Sequence, residues 1–184
     1  MREILILGRG GQGAQTAGNL LAQAFFAEGN YVQTFATYGG ARRGTPVSSS
    51  LRVDSAPIRL RCNIDRASAM LCFDDSLLDE NFLRCADSET QILVNSTQPA
   101  EVFSGLGDYR ITPVDGAGIA RNNDMGKVVN SALLGAFVAV LELPDIETMV
   151  TVVENSAPVK QQQNMAACRE AYQRHSRHSS GVSS

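Results

Sequence analysis

The spacing of apolar and polar residues predicts a chain of alternating strands and helices. Residues 4–7 form a fully apolar run that stops at Gly8, as expected of a central parallel strand whose two faces are both covered. Apolar residues then recur at helical spacing through residues 14–28, and residues 31–37 are typical of a second strand. The first 37 residues therefore predict one Rossmann-like βαβ unit.

The rest of the chain continues this alternation. Strands are predicted at 47–53, 67–73, 91–95 and 110–114, and helices at 76–85, 126–143 and 146–154. Residues 166–174 are expected to close the fold. Residues 57–61 are predicted to pair with the strand at 47–53 as an antiparallel edge. The order predicts the α/β class with a single doubly wound, mostly parallel sheet. Because no repeat or linker is visible, we expect one domain over residues 1–174, and the polar residues 175–184 predict a disordered tail.

Composition and charge remove several classes of function. The net charge of -3 and the pI of about 5.4 carry no nucleic-acid footprint. No secretory signal and no apolar stretch of membrane-spanning length are visible, so no membrane association is expected. The four cysteines form no C-x-x-C pair, which predicts no metal or cluster site in this chain and fits free thiols in the cytoplasm. The only histidines, His175 and His178, lie in the predicted tail, so no catalytic residue is expected.

A glycine-rich motif lies between the first strand and the first helix. It has the pattern G-x-G-x-x-G and consists of Gly8, Arg9, Gly10, Gly11, Gln12 and Gly13. Such a turn brings backbone amides of a helix N-terminus against an anionic group, although glycines also allow close packing of strand on helix. A dinucleotide site would need an acidic residue at the end of the second strand. Residues 33–37 contain no acidic residue, which weakens the hypothesis that the chain binds a nicotinamide or flavin dinucleotide.

A second unusual segment follows the second strand. It reads Tyr38, Gly39, Gly40, Ala41, Arg42, Arg43 and Gly44. Paired guanidinium groups suit phosphate or carboxylate, whereas a solvated loop or a protein–protein ion-pair patch is the alternative.

A pair of acidic residues, Asp74 and Asp75, follows a later strand. These residues could form a catalytic or magnesium pair, but the favoured interpretation is that Asp75 or Ser76 caps the next helix.

Together, three motifs resemble the gamma subunit of 2-oxoacid:acceptor oxidoreductases such as pyruvate:ferredoxin oxidoreductase. They are residues 8–13, residues 38–47 with Arg52 and 57–58, and residues 130–136 with 164–166. The resemblance covers residues 3–172. The run from Arg42 to Pro46 is more similar to pyruvate-type gamma chains, and Ala41 departs from the acidic residue that members often carry.

The resemblance implies a function for the assembly rather than for this chain alone. It implies oxidative decarboxylation of a 2-oxoacid to its acyl-CoA, with thiamine diphosphate and iron–sulfur clusters held by partner subunits of alpha, beta and delta type. The acceptor would be ferredoxin, or NAD through a flavin partner, and the 2-oxoacid either pyruvate-like or an aryl glyoxylate such as phenylglyoxylate. This chain would contribute to coenzyme A binding and to assembly. The expected coenzyme A residues are Gly8, Arg9, Gly10, Gly11, Gln12, Gly13, Tyr38, Arg42 and Arg43.

Two other functions stay open at this point. The chain could be a free-standing nucleotide-binding dehydrogenase domain, which would bind NAD(P)H by itself. It could also be a pure interaction scaffold whose glycine turn binds nothing.

Overall fold

The computed structural model of the chain describes residues 1–38 and 44–176, with Tyr38 described through its backbone only. Six strands form one sheet: β1 (Arg2–Arg9), β2 (Tyr31–Tyr38), β3 (Pro46–Asp54), β4 (Ala69–Cys72), β5 (Gln91–Asn95) and β6 (Arg110–Val114). The helices are α1 (Ala14–Ala27), α2 (Glu80–Leu83), α3 (Gly116–Asn122), α4 (Asn130–Leu141), α5 (Ile146–Ser156) and α6 (Gln161–Ser176). Two 3₁₀ helices span Asp75–Leu77 and Ala100–Leu106.

The strand order across the sheet is β2-β3-β1-β4-β5-β6. β1, β4, β5 and β6 are parallel neighbours, whereas β3 is antiparallel both to β1 and to β2. The predicted α/β class and the mostly parallel sheet are therefore confirmed. The first βαβ unit differs from the prediction, because β3 is inserted between its two strands.

The predicted antiparallel partner of β3 is wrong, since residues 57–61 form no strand. Most residues of β3 are buried, as expected of an inner strand. Polar Gln33, Thr34 and Thr37 make β2 suitable for the edge of the sheet. The segment after β3 instead offers its backbone carbonyls to side chains of the sheet. Leu60 O, for example, accepts from Gln33 Nε2 at 2.9 Å.

Both faces of the sheet are covered, as the apolar first strand predicts. Ile4 and Ile6 of β1 point to the face that packs against α1 and the helices α3 to α6. Leu5 points to the other face, where the first 3₁₀ helix and α2 pack with Phe82 and Leu83. Within the described ranges, no helix has the length and apolar character needed to cross a bilayer.

Several helix boundaries differ from the sequence-based expectation. α3 was not predicted, and the helix expected at 76–85 is a 3₁₀ turn followed by the short α2. α4 ends at Leu141, where Glu142 takes a left-handed conformation ahead of Pro144. α6 runs from Gln161 to Ser176, so residues 175 and 176 of the expected tail are helical. The rest of that tail, 177–184, lies outside the described residues.

Arg52 of β3 is fully buried and connects three strands. Its Nε donates to Glu3 Oε1 of β1 at 2.7 Å, and its Nη1 donates to Gln33 Oε1 of β2 at 3.0 Å. Its Nη2 donates to the backbone carbonyls of Cys62 and Asn63, at 2.8 and 3.1 Å. A buried charge is stable only when paired and hydrogen-bonded, and this guanidinium meets that condition on all sides.

We predict that Arg52→Met lowers the free energy of unfolding by about 3 kcal/mol or more, because a set of partners loses its buried donor. The matched control is Arg169→Met, which removes the surface ion pair between Arg169 and Glu147. We expect that control to cost less than about 1 kcal/mol. Urea unfolding of the two variants measures the difference, and equal losses would contradict a structural role for the buried guanidinium.

Candidate anion-binding site

The glycine turn joins the end of β1 to the start of α1. It is closed by a hydrogen bond from the N–H of Gln12 to the carbonyl of Arg9, at 2.9 Å. Gly13 occupies the N-cap position of α1 with a left-handed φ of 93°, which a glycine adopts without strain. No side chain caps α1, and no acidic residue lies in its first turn. Because first-turn amides have no partner within a helix, the start of α1 is suited to an anion.

A cavity of about 300 Å³ opens at this helix start. It is lined by Arg9, Gly10, Gly11, Gly13, Ala14 and Thr16, with further contributions from Gln15 and Val47. The structure thus brings the predicted motif residues together around one small, open space. Gly8 has another role: a Cβ there would lie 3.0 Å from Cβ of Ala14, so this glycine permits close packing of strand on helix.

The residues that lead into β3 lie directly against the glycine turn. Gly10 N–H donates to the carbonyl of Thr45 at 2.8 Å, and Gly44 N–H donates to the carbonyl of Gly10 at 3.2 Å. The glycine turn and the end of the second segment therefore meet where β1 ends and β3 begins. Tyr38 belongs to β2 through its backbone, in register with Val47.

The two predicted arginines directly precede Gly44 in the sequence. Arg42 and Arg43, with residues 39–41, lie outside the described residues. Their predicted contact with an anion stays a prediction.

Arg9 and Gln12 use their side chains to hold the turn in place. Arg9 Nε donates to Asp74 Oδ2 at 2.9 Å, and its Nη2 donates to Ser76 Oγ at 2.8 Å. Gln12 Nε2 donates to the same carboxylate oxygen at 3.1 Å, while Gln12 Oε1 accepts from Arg9 N–H at 2.6 Å. These two polar side chains of the motif are therefore engaged within the protein.

Asp74 is the acceptor at the centre of this network, and it was missed as a site residue. The favoured sequence interpretation placed the cap of the next helix at Asp75 or Ser76, which is wrong. Asp74 is the cap, since its side chain accepts from Ser76 N–H at 3.2 Å. Asp75 instead accepts from Ser96 Oγ at 2.6 Å. Among the residues that the structure covers, no cluster of His, Cys, Asp and Glu could hold a metal ion.

The network changes the pKa of Asp74. Partial burial raises the pKa of this carboxyl, but hydrogen bonds from Ser76, Gln12 and Arg9 favour the charged form and bring the net pKa below its ordinary value. A carboxyl with a lowered folded-state pKa stabilises the fold above its unfolded pKa. That contribution is lost as the pH falls through the folded-state value.

Asn130, the first residue of α4, supports the turn from the other side. A Cβ on Gly13 would lie 2.5 Å from Asn130 Nδ2, so the amide packs closely over the glycine. Asn130 Oδ1 is buried and has no hydrogen-bond partner in the described part of the chain. This contact could not be predicted from local sequence patterns, because it joins residues 117 positions apart that only the fold brings together.

An open cleft of about 420 Å³ lies on the opposite face of the sheet, beside the start of β3. Its lining includes Leu5, Leu7, Ser48, Ser50 and Phe82. Charged and amide side chains line the cleft as well, among them Asp79, Asn81 and Arg84. The cleft therefore offers a ligand apolar walls together with polar and charged groups.

Comparison with known proteins agrees with the resemblance found in the sequence. The model of the pyruvate ferredoxin/flavodoxin oxidoreductase family matches residues 3–174. This chain belongs to that family. The common gamma subunit of pyruvate/ketoisovalerate oxidoreductases from Pyrococcus abyssi is 35% identical over 95% of this chain and 97% of its own length.

Solved structures share the fold. Pyruvate oxidoreductase subunit PORC from Thermotoga maritima is 28% identical with a TM-score of 0.82, over 94% of this chain and 95% of its own. The 2-oxoglutarate:ferredoxin oxidoreductase from Magnetococcus marinus, solved with coenzyme A and succinyl-CoA bound, matches 99% of this chain with a TM-score of 0.75. At 20% identity and over 31% of that chain, this second likeness shows the fold alone.

We predict that Asp74→Asn lowers the free energy of unfolding by about 1–2 kcal/mol at neutral pH, because charge-assisted hydrogen bonds become neutral ones. The difference from the unsubstituted protein should shrink as the pH falls below about 4, the ordinary pKa of an Asp carboxyl, and disappear once the pH has passed the lower pKa of Asp74 in the folded protein. Chemical unfolding at several pH values measures this. Asp75→Asn, which leaves the contacts to Arg9 and Gln12 in place, is the control, and a pH-independent difference for Asp74→Asn would contradict the assignment.

We also predict that Gly13→Ala destabilises the protein more than Gly29→Ala does. Both glycines have a positive φ, so both variants carry backbone strain of about 1–2 kcal/mol, but only the alanine at position 13 meets another side chain. Adding Asn130→Ala to Gly13→Ala should recover part of the excess loss. Thermal unfolding of the double-mutant cycle tests this, and additive effects would show that the contact is not structural.

Proposed function

We propose that this chain is the gamma subunit of a 2-oxoacid:ferredoxin oxidoreductase and contributes to coenzyme A binding in the assembled enzyme. The supporting observation is the close association of the glycine turn with Gly44 and Thr45, immediately after Arg42 and Arg43 in sequence. Coenzyme A carries several phosphate charges, and both the start of a helix and guanidinium groups suit phosphate. The cleft beside β3, with its apolar walls and polar groups, would take another part of the molecule.

The cysteines do not fit a cluster site in this chain. Burial raises the pKa of the Cys72 and Cys168 thiols to about 12, so both are protonated in the described fold. Among the described residues, the cysteines belong to no group of side chains that could hold a metal ion. In line with the family resemblance, we propose that thiamine diphosphate and iron–sulfur clusters are held by partner subunits of alpha, beta and delta type. All four thiols are free, which suits a cytoplasmic complex.

The inserted strand argues against the dehydrogenase alternative. In a dinucleotide fold, the second strand lies beside the first and ends in an acid that binds ribose next to the glycine turn. Here the residues leading into β3 occupy that place, and β2 lies one strand further out. The protein would therefore offer NAD(P)H neither the acid that binds the ribose nor the crevice beside the glycine turn.

The substrate and the acceptor belong to the assembled complex. We propose a pyruvate-like 2-oxoacid, in line with the names of the relatives, and ferredoxin, in line with the name of the family. An aryl glyoxylate such as phenylglyoxylate, and NAD through a flavin partner, are the alternatives. A substrate and acceptor profile of the purified complex separates them.

We predict that Arg42→Ala with Arg43→Ala raises the KM for coenzyme A by roughly tenfold or more, because charge-assisted contacts to phosphate are lost. The KM for the 2-oxoacid should stay unchanged. The matched control is Arg59→Ala with Arg61→Ala, which removes the same charge from exposed positions after β3. Steady-state kinetics of the complex purified from co-expressed neighbouring genes measures both.

The kinetics, the co-purification and a binding titration together separate the proposed function from the scaffold and the dehydrogenase. An intact complex with an unchanged KM for coenzyme A would favour the scaffold. If the chain co-purifies with no thiamine- or cluster-binding partner, the assignment as a subunit is wrong. NAD(P)H binding by the isolated chain, followed by fluorescence titration, would support the dehydrogenase instead.

A further inference from the structure

β2 is an edge strand of unusual regularity. All eight of its residues pair with β3, from Tyr31 opposite Asp54 to Tyr38 opposite Val47. Among the described residues, β3 is the one strand that neighbours β2 in the sheet, and α1 also contacts β2. At about 3.4 Å per residue, the outer side of β2 presents a row of backbone donors and acceptors about 27 Å long.

The sequence of β2 contains nothing that would prevent another strand from pairing. Residues Tyr31–Tyr38 include no charged residue, no proline and no glycine. Natural sheets protect their edges with such residues or with short strands. β6, the opposite edge, follows that rule: it has five residues and carries Arg110 and Pro113. The contrast indicates that β2 is covered by a protein partner.

Large apolar side chains are exposed on both sides of this edge. Phe26, in the last turn of α1, is 73% exposed, and Tyr31 at the start of β2 is 49% exposed. Leu60 lies near Gln33 through its backbone carbonyl and is 43% exposed. Exposed apolar groups that cluster along an unpaired strand mark an interaction surface rather than scattered surface residues.

We infer that a second copy of this chain binds here, with its β2 antiparallel to the first across a two-fold axis. Such a contact would join the two sheets into one of twelve strands. Pairing of identical strands about a two-fold axis requires a self-complementary surface, and an uncharged strand meets no like charge from its copy. No feature of β2 selects a different chain through complementary charge.

The apolar groups at the edge are large enough for such a contact. An aromatic side chain buries roughly 150–250 Å² when fully covered. With their observed exposures, Phe26 and Tyr31 of two copies would together bury about 500 Å². The two strand edges and Leu60 of each copy add to this area, for which about 1,000 Å² is the lower limit in a specific interface.

The test uses the full chain and two matched threonine variants at the two sheet edges. Thr34→Lys puts a charge in the middle of β2, close to the two-fold axis, and Thr112→Lys puts the same charge on β6. Sedimentation over a dilution series should show a dimer for the unsubstituted chain and for Thr112→Lys. Thr34→Lys should weaken the dimer roughly tenfold or more, because two lysines approach each other.

A second pair of variants separates the side chains from the strand. Phe26→Asp should also weaken the dimer, whereas Val159→Asp, at an equally exposed apolar residue between α5 and α6, should not. An unchanged far-ultraviolet circular dichroism spectrum shows that each variant folds. A monomeric unsubstituted chain, or a dimer that survives Thr34→Lys, would overturn the inference. So would a monomer whose binding to partner subunits is blocked by Thr34→Lys, since the edge would then belong to another chain.

Discussion

The position of β3 between β1 and β2 is the constraint on which the rest of the structure depends. An inner strand cannot leave a charged side chain unpaired, yet β3 carries Arg52. Its guanidinium is accommodated because Glu3, Gln33 and two backbone carbonyls surround it. The same contacts hold the segment after β3 out of the sheet, since its carbonyls face the guanidinium instead of a neighbouring strand.

The insertion also determines what the glycine turn can bind. A central strand, a glycine turn and a helix are shared with dinucleotide-binding domains. In this chain the residues before β3 run along the turn, and both backbone groups of Gly10 are used to hold them there. The geometry therefore keeps the helix start available to an anion but removes the place where a ribose would lie. The insertion of one strand therefore separates anion binding from dinucleotide binding at the same kind of glycine turn.

Local patterns predicted the parts of the fold that local sequence determines. The apolar runs of β1, β4 and β5 and the helical spacing of α1 follow from burial of adjacent residues, and the structure agrees. The order of the strands was not predictable in this way, because the pairing of β3 depends on Arg52 meeting residues from three separate segments. Asn130 against Gly13, and Asp74 as the acceptor for Arg9 and Gln12, are likewise contacts between distant residues.

The contacts of the polar side chains at the turn indicate how ligand binding would be divided among the subunits of the proposed complex. Arg9 and Gln12 point to Asp74 and Ser76, and Asn130 packs over Gly13, so these side chains keep the turn rigid. In the described part of the site, an anion would meet mainly backbone amides, which recognise charge and not the rest of a ligand. On the proposed function, selectivity for coenzyme A would come from Arg42, Arg43, the cleft beside β3 or a neighbouring subunit. A chain built in this way is suited to holding one end of a ligand whose reactive end belongs to another subunit.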